Sequence, residues 1–96
     1  MAYKTDYETV AASQTDQVMG PVGKSGDILE RLVITVATAA TGTVSIKDGT
    51  NSAIPITAAN TPIGVYAVTI AARSSAGAWK VTTGAGATVV AVGAFT

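Results

Sequence analysis

This 96-residue chain has no cysteine and no histidine. Without cysteine it forms neither a disulfide nor a thiolate metal site, and the sequence is silent about redox compartment. Without histidine it lacks the commonest metal ligand and the commonest proton shuttle near neutral pH, which excludes a Ser-His-Asp hydrolase. Charge is scarce as well. Six basic and six acidic side chains cancel, and charged residues make up 12% of the chain, about half the usual globular share. That balance leaves no electrostatic footprint for nucleic acid or for an anionic membrane. Aromatic residues are 5% of the chain, with a single Trp and a single Phe. No apolar run reaches the roughly 20 residues of a membrane helix; the longest, LVITVATAATGTVSI, is interrupted by Thr and Gly. The opening MAYKTDYETV has no apolar segment of the signal-peptide kind, and Asp6 and Glu8 argue against a transit peptide, so synthesis in the cytosol is expected.

Hydrophobic residues are nevertheless 48% of the chain. At this length they suit one domain, since either of two would fall near the size at which staples are needed. So few charges protect poorly against self-association, and a homo-oligomer or a docked subunit is the expected state. An aromatic-poor core points the same way, because apolar surface shared between subunits adds to a stability sum that for small domains comes out near zero.

No internal repeat is present, only short β-branched runs separated by Gly, Asn, Ser or Pro, which is an all-β texture. In VSIKDGTNSAIPIT, Val44 and Ile46 share a face, Asp48-Gly49 begins a turn, and Ile54 and Ile56 resume the alternation, so the segment reads as a hairpin. Pro55 cannot donate to a ladder, which assigns the second strand to an edge or a bulge. After NTPIG, the run VYAVTIAARS puts Tyr66, Val68 and Ile70 on one face and Val65, Ala67 and Thr69 on the other. AWKVTT and TVVAVGAF then read as two hairpin strands joined by the GAGA turn. Val90 and Val92 face opposite to Val89 and Ala91, so neither face of the last strand is polar; it is buried on both sides, or on one side against another chain. Upstream, YETVAASQTDQVMG reads as two short strands around a polar turn. Within SGDILERLVITVATAA, the stretch 27–38 fits both a helical stripe (Ile28, Leu29, Leu32, Val33, Val36) and a strand (Ile28, Leu32, Ile34, Val36, with Glu30 as the exception). The β-branched run favours strand. About eight short strands, with no segment that reads as helix alone, predict an all-β, jelly-roll-like sandwich or barrel. Residues 1–6 are expected to form a flexible arm, and 7–96 the single β-sandwich domain.

The candidates for chemistry each have a simpler structural reading. Lys24-Ser25 and Ser45-Ile46-Lys47 place Ser and Lys together, as a Ser-Lys nucleophile requires, but Lys47 sits at a solvated strand end. Asp6 with Glu8, and Asp27 with Glu30, are carboxylate pairs that read as surface charge. GAGATV lacks the third glycine of a dinucleotide fingerprint and joins strand to strand. Asp48 and Asn51 offer oxygens to calcium, in a loop far short of the EF-hand pattern. Trp79 suits either a sugar-stacking platform or an anchor in a core or subunit interface. No catalytic residue, metal ligand, cofactor or small-molecule substrate is assigned.

The phrases SQTDQVMG, GDILERLVITVAT, VSIKDGT, ITAANTPIGVYAVTI and SSAGAWKVTTGAGATVVAVGAF together resemble small virion proteins of tailed bacteriophages, of the capsid decoration or cement kind, over nearly all of the chain after Val10. Related short domains occur in phage fibres and necks. The resemblance implies a jelly-roll-like sandwich, commonly a homotrimer, held on the virion surface by the major capsid protein, where it stabilises the expanded head without catalysis. Binding only the expanded shell would stabilise that state by mass action. The arm from Ala2 to Tyr7 is expected to reach a neighbouring subunit, and Tyr3, Lys4, Tyr7, Trp79 and Phe95 are the candidate capsid or subunit contacts. The alternative is a carbohydrate-binding or adhesive module built on an exposed Trp79.

Overall fold

A computed structural model describes residues 6–39 and 41–96. Within them the β-branched runs become eight strands and no helix: β1 (Asp6–Val10), β2 (Gln17–Val18), β3 (Ile28–Val36), β4 (Val44–Asp48), β5 (Ile54–Thr57), β6 (Gly64–Arg73), β7 (Trp79–Thr82) and β8 (Ala87–Ala94). They form two four-stranded antiparallel sheets, ordered β1-β8-β3-β6 and β2-β7-β4-β5. The chain is an all-β sandwich. Its pairings are nested: β4 with β5, β3 with β6, β2 with β7 and β1 with β8, alternating between the sheets.

Only β4 and β5 pair as sequence neighbours within one sheet, which is the hairpin expected around Asp48-Gly49. Pro55 lies on β5 at a sheet edge, beside a register shift between Val44 and Ser45, as its missing N–H demands. The expected β7–β8 hairpin does not form. β7 pairs with β2 and β4, β8 pairs with β1 and β3, and the GAGA turn carries the chain from one sheet to the other. Glycine makes this crossing possible: a Cβ on Gly84 would run into the backbone of Gly42.

The ambiguous segment is a strand, and a bulge explains its ambiguity. Register shifts by one residue between Leu29 and Arg31 on both sides of β3. The inward residues are therefore Leu29, Leu32, Ile34 and Val36, each essentially inaccessible, and the three-residue step from Leu29 to Leu32 imitates helical spacing. Ile28, expected inside, is only half-buried. The inner faces of both sheets meet in one core that joins these residues to Val44, Ile46, Val81, Val89 and Ala91, with Trp79 at 4% exposure. Tyr66, Val68 and Ile70 of β6 pack on its margin.

Candidate interaction surface

The two sheets share a core but present different outer faces. In antiparallel strands, residues directly opposite one another lie on the same side. Val33 stands opposite both Val90 and Ala67, and Val90 is in turn opposite Thr9. One row across the outer face of β1-β8-β3-β6 is thus Thr9, Val90, Val33, Ala67. The next is Tyr7, Val92, Arg31, Thr69, and a third is Thr88, Thr35, Val65. Val90, Val92 and Val33 are half-buried, while Tyr7 and Val65 are 73% and 67% exposed. Across these three rows Arg31 is the single charged side chain.

The outer face of β2-β7-β4-β5 carries charge and hydroxyls on its central strands, with Val18 and Pro55 on its edges. Lys47 stands opposite Lys80, and Ser45 opposite Thr82. Lys47 Nζ pairs with Asp16 Oδ2 at 3.2 Å, and the Thr82 hydroxyl donates to Asp16 Oδ1 at 3.1 Å. The Lys47 ammonium, then the Thr82 hydroxyl, hold the Asp16 carboxyl below its ordinary range. Lys47 is thus a partner of Asp16, and no Ser-Lys nucleophile is assembled with Ser45. Ser25 Oγ donates to the Ser75 carbonyl at 3.0 Å, a loop-to-loop tie.

Glu8 and Asp27, two of the four carboxylates read as surface charge, are clamps between separate segments, and so is Asp48. Glu8 accepts from the Gly20 N–H at 2.7 Å and the Gln17 amide at 2.9 Å. Asp48 accepts from the Ala76 N–H and from the N–H and hydroxyl of Ser75, and these donors, Ala76 first, draw its carboxyl below the ordinary range. Its oxygens are committed to donors, and Asn51 contributes only its N–H, to the Asp48 carbonyl at 3.0 Å. Among the described residues no group of three or more acidic side chains is placed to hold a metal ion.

Asp27 is the most buried of these clamps, at 6% exposure. Its carboxylate accepts from the Thr96 hydroxyl at 2.6 Å, the Thr96 N–H at 2.9 Å and the Lys24 N–H at 3.2 Å. Burial pushes this carboxyl up, and the donors, led by the Thr96 hydroxyl, outweigh it, so it is held below the ordinary range. The Asp27 carbonyl accepts the Trp79 indole N–H at 3.1 Å. Trp79 is therefore a core anchor with its polar handle satisfied, not a surface platform.

Of the five expected contact residues, Tyr3 and Lys4 lie outside the described residues. Trp79 is in the core, and Phe95 is partly buried against it. Of the three that are described, Tyr7 alone is exposed, and it belongs to β1 and not to an arm, because Asp6–Val10 is laddered along β8. The valines and threonines around Tyr7 were visible only in part beforehand: Val90 and Val92 announced a two-sided apolar strand and the strand reading set Val33 opposite in phase to Leu32 and Ile34, whereas the strand order that lays β1, β8, β3 and β6 side by side was not legible. No family model, no curated protein and no solved structure matches the chain.

Proposed function

We propose that this chain is a capsid decoration protein of a tailed bacteriophage, a non-catalytic subunit that docks on the major capsid protein and stabilises the expanded head. The observation carrying the proposal is the contrast between the faces: an almost uncharged Val, Thr and Ala surface on β1-β8-β3-β6, backed by a lysine-bearing polar surface. Such a contrast suits a subunit with one face toward a shell and the other toward solvent. The nested order, a long hairpin rolled into two sheets, favours reading the sandwich as a jelly roll, an architecture used in viral capsid domains. The glycan-binding alternative loses its anchor with Trp79 in the core.

The test is co-sedimentation with expanded heads and with unexpanded precursor shells of the phage that encodes the chain. Wild type is expected to pellet with expanded heads and to raise the temperature at which they release DNA. Val33→Glu and Val90→Glu change outward positions, cost about 1 kcal/mol or less in stability, and are expected to abolish pelleting. Equal binding by wild type and both variants would remove the docking face from the argument, and absence of wild-type binding would remove the function.

A further inference from the structure

The sandwich has four sheet edges, and three of them are blunted. β5 is short and carries Pro55, β2 has two residues, and β1 has its Thr9 carbonyl capped by the Gln17 amide at 3.3 Å. The fourth edge, β6, is the longest strand, ten residues with no proline and one charge, Arg73, at its end. Its last part is bulged, with Ile70 and Ala71 both lying between the partners of Leu29 and Arg31 and Ala71 at a φ of 50°, but Gly64–Thr69 is an unbroken apolar edge, and such an edge is a template for another strand.

The direction of its backbone groups follows from the ladder. The Ala37 N–H donates to the Gly86 carbonyl at 2.8 Å, in step with the β3–β8 register. Odd residues of β3 beyond the bulge thus bond β8, and Leu32, Ile34 and Val36 bond β6 opposite Val68, Tyr66 and Gly64. Val65, Ala67 and Thr69 turn their N–H and C=O groups to the open edge.

We propose that β6 pairs antiparallel with β6 of a second copy across a twofold axis at Ala67. Several features select a second copy as the occupant. Antiparallel pairing carries the two Arg73 side chains to opposite ends, so the one charge of the strand never meets itself, and the chain's zero net charge gives no long-range repulsion. On the core side Tyr66 meets Val68 of the second copy, an aromatic and β-branched pair; on the outer side Val65 meets Thr69, and Ala67 meets Ala67. About six backbone hydrogen bonds join Val65, Ala67 and Thr69 to their counterparts. The axis is normal to the sheet, so both outer faces, each with its Val and Thr rows, end on one side of an eight-stranded sheet. The pairing does not depend on the capsid reading.

Light scattering after size-exclusion chromatography, over a series of concentrations, tests this. Wild type is expected at twice the 9.5 kDa of one chain, falling toward 9.5 kDa on dilution. Ala67→Pro removes an edge-facing N–H that β3 does not use and is expected to leave the monomer. Ala67→Lys and Ala67→Glu, exposed substitutions that do not strain the fold, are each expected to run as monomers by like-charge opposition on the axis, and to form a mixed dimer when combined. A wild-type trimer, a wild-type monomer at every concentration, or an undiminished dimer in Ala67→Lys would overturn the proposal. Monomers of both charged variants that fail to combine would overturn its register.

Discussion

Asp27 concentrates several tasks in one residue. Its carboxylate ties the turn before β3 to Thr96 after β8, and its backbone carbonyl takes the Trp79 indole N–H of the other sheet. A buried acceptor of this kind is costly to disturb, because its donors keep their desolvation cost when the acceptor goes. Asp27→Asn retains the shape but turns an amide NH₂ toward N–H donors, and urea denaturation is expected to show a loss of about 1–3 kcal/mol. The pH dependence has a definite sign. The folded carboxyl lies below the ordinary 3.8, so its stabilisation is complete above that value and is lost as pH falls through the folded pKa. Wild-type stability should therefore drop on acidification below about pH 4, and the drop should be smaller in Asp27→Asn. An unchanged acid limb in that variant would assign the pH dependence to other groups.

At the scale of the element, β3 shows why pattern reading succeeds in part. The β-branched run Val33–Val36 was enough to favour strand over helix, and Pro55 was enough to assign β5 to an edge. The inward phase of the first half of β3 was not legible, because an alternation rule presumes one residue opposite one residue, and the bulge between Leu29 and Arg31 breaks that on both sides. The β7–β8 hairpin failed for a related reason: a short glycine turn is compatible with pairing and with crossing between sheets, and only the distant partners β2, β4, β1 and β3 decide. The docking face was hidden for the same reason as the hairpin, since its rows depend on which distant strands lie beside β3 and β8. The bulge predicts an unusual mutational pattern. Leu29→Ala and Leu32→Ala should each cost about 2–5 kcal/mol as cavity-forming changes, while Arg31→Ala between them should stay within about 0.5 kcal/mol. Unbroken alternation inward from Ile28 would instead make Leu29→Ala nearly neutral, and denaturant midpoints separate the two.

The whole molecule is organised by nesting, and nesting orders the costs of folding. The β4–β5 hairpin closes a short loop; pairing β3 with β6, then β2 with β7 and β1 with β8, closes progressively longer ones. Loop-closure entropy rises with length, but only slowly once earlier pairings have shortened the effective loop. Formation from the inside outward is thus the cheapest sequence of events, and a sheet built almost wholly of non-local pairs should refold on the millisecond-to-second scale. The buried Trp79 gives the fluorescence signal for such a measurement. Ile46, in the innermost hairpin, and Val10, in the outermost pair, are both fully buried, so truncation of either should cost enough for a dependable ratio of kinetic to equilibrium effects. Ile46→Ala is expected to slow folding, with a φ-value of about 0.5 or above. Val10→Ala is expected to act on unfolding, with a φ-value below about 0.3. The reverse order would mean that the strands at the two ends of the nest meet first, and that the roll is assembled by early long-range collapse and not by zipping outward from its hairpin.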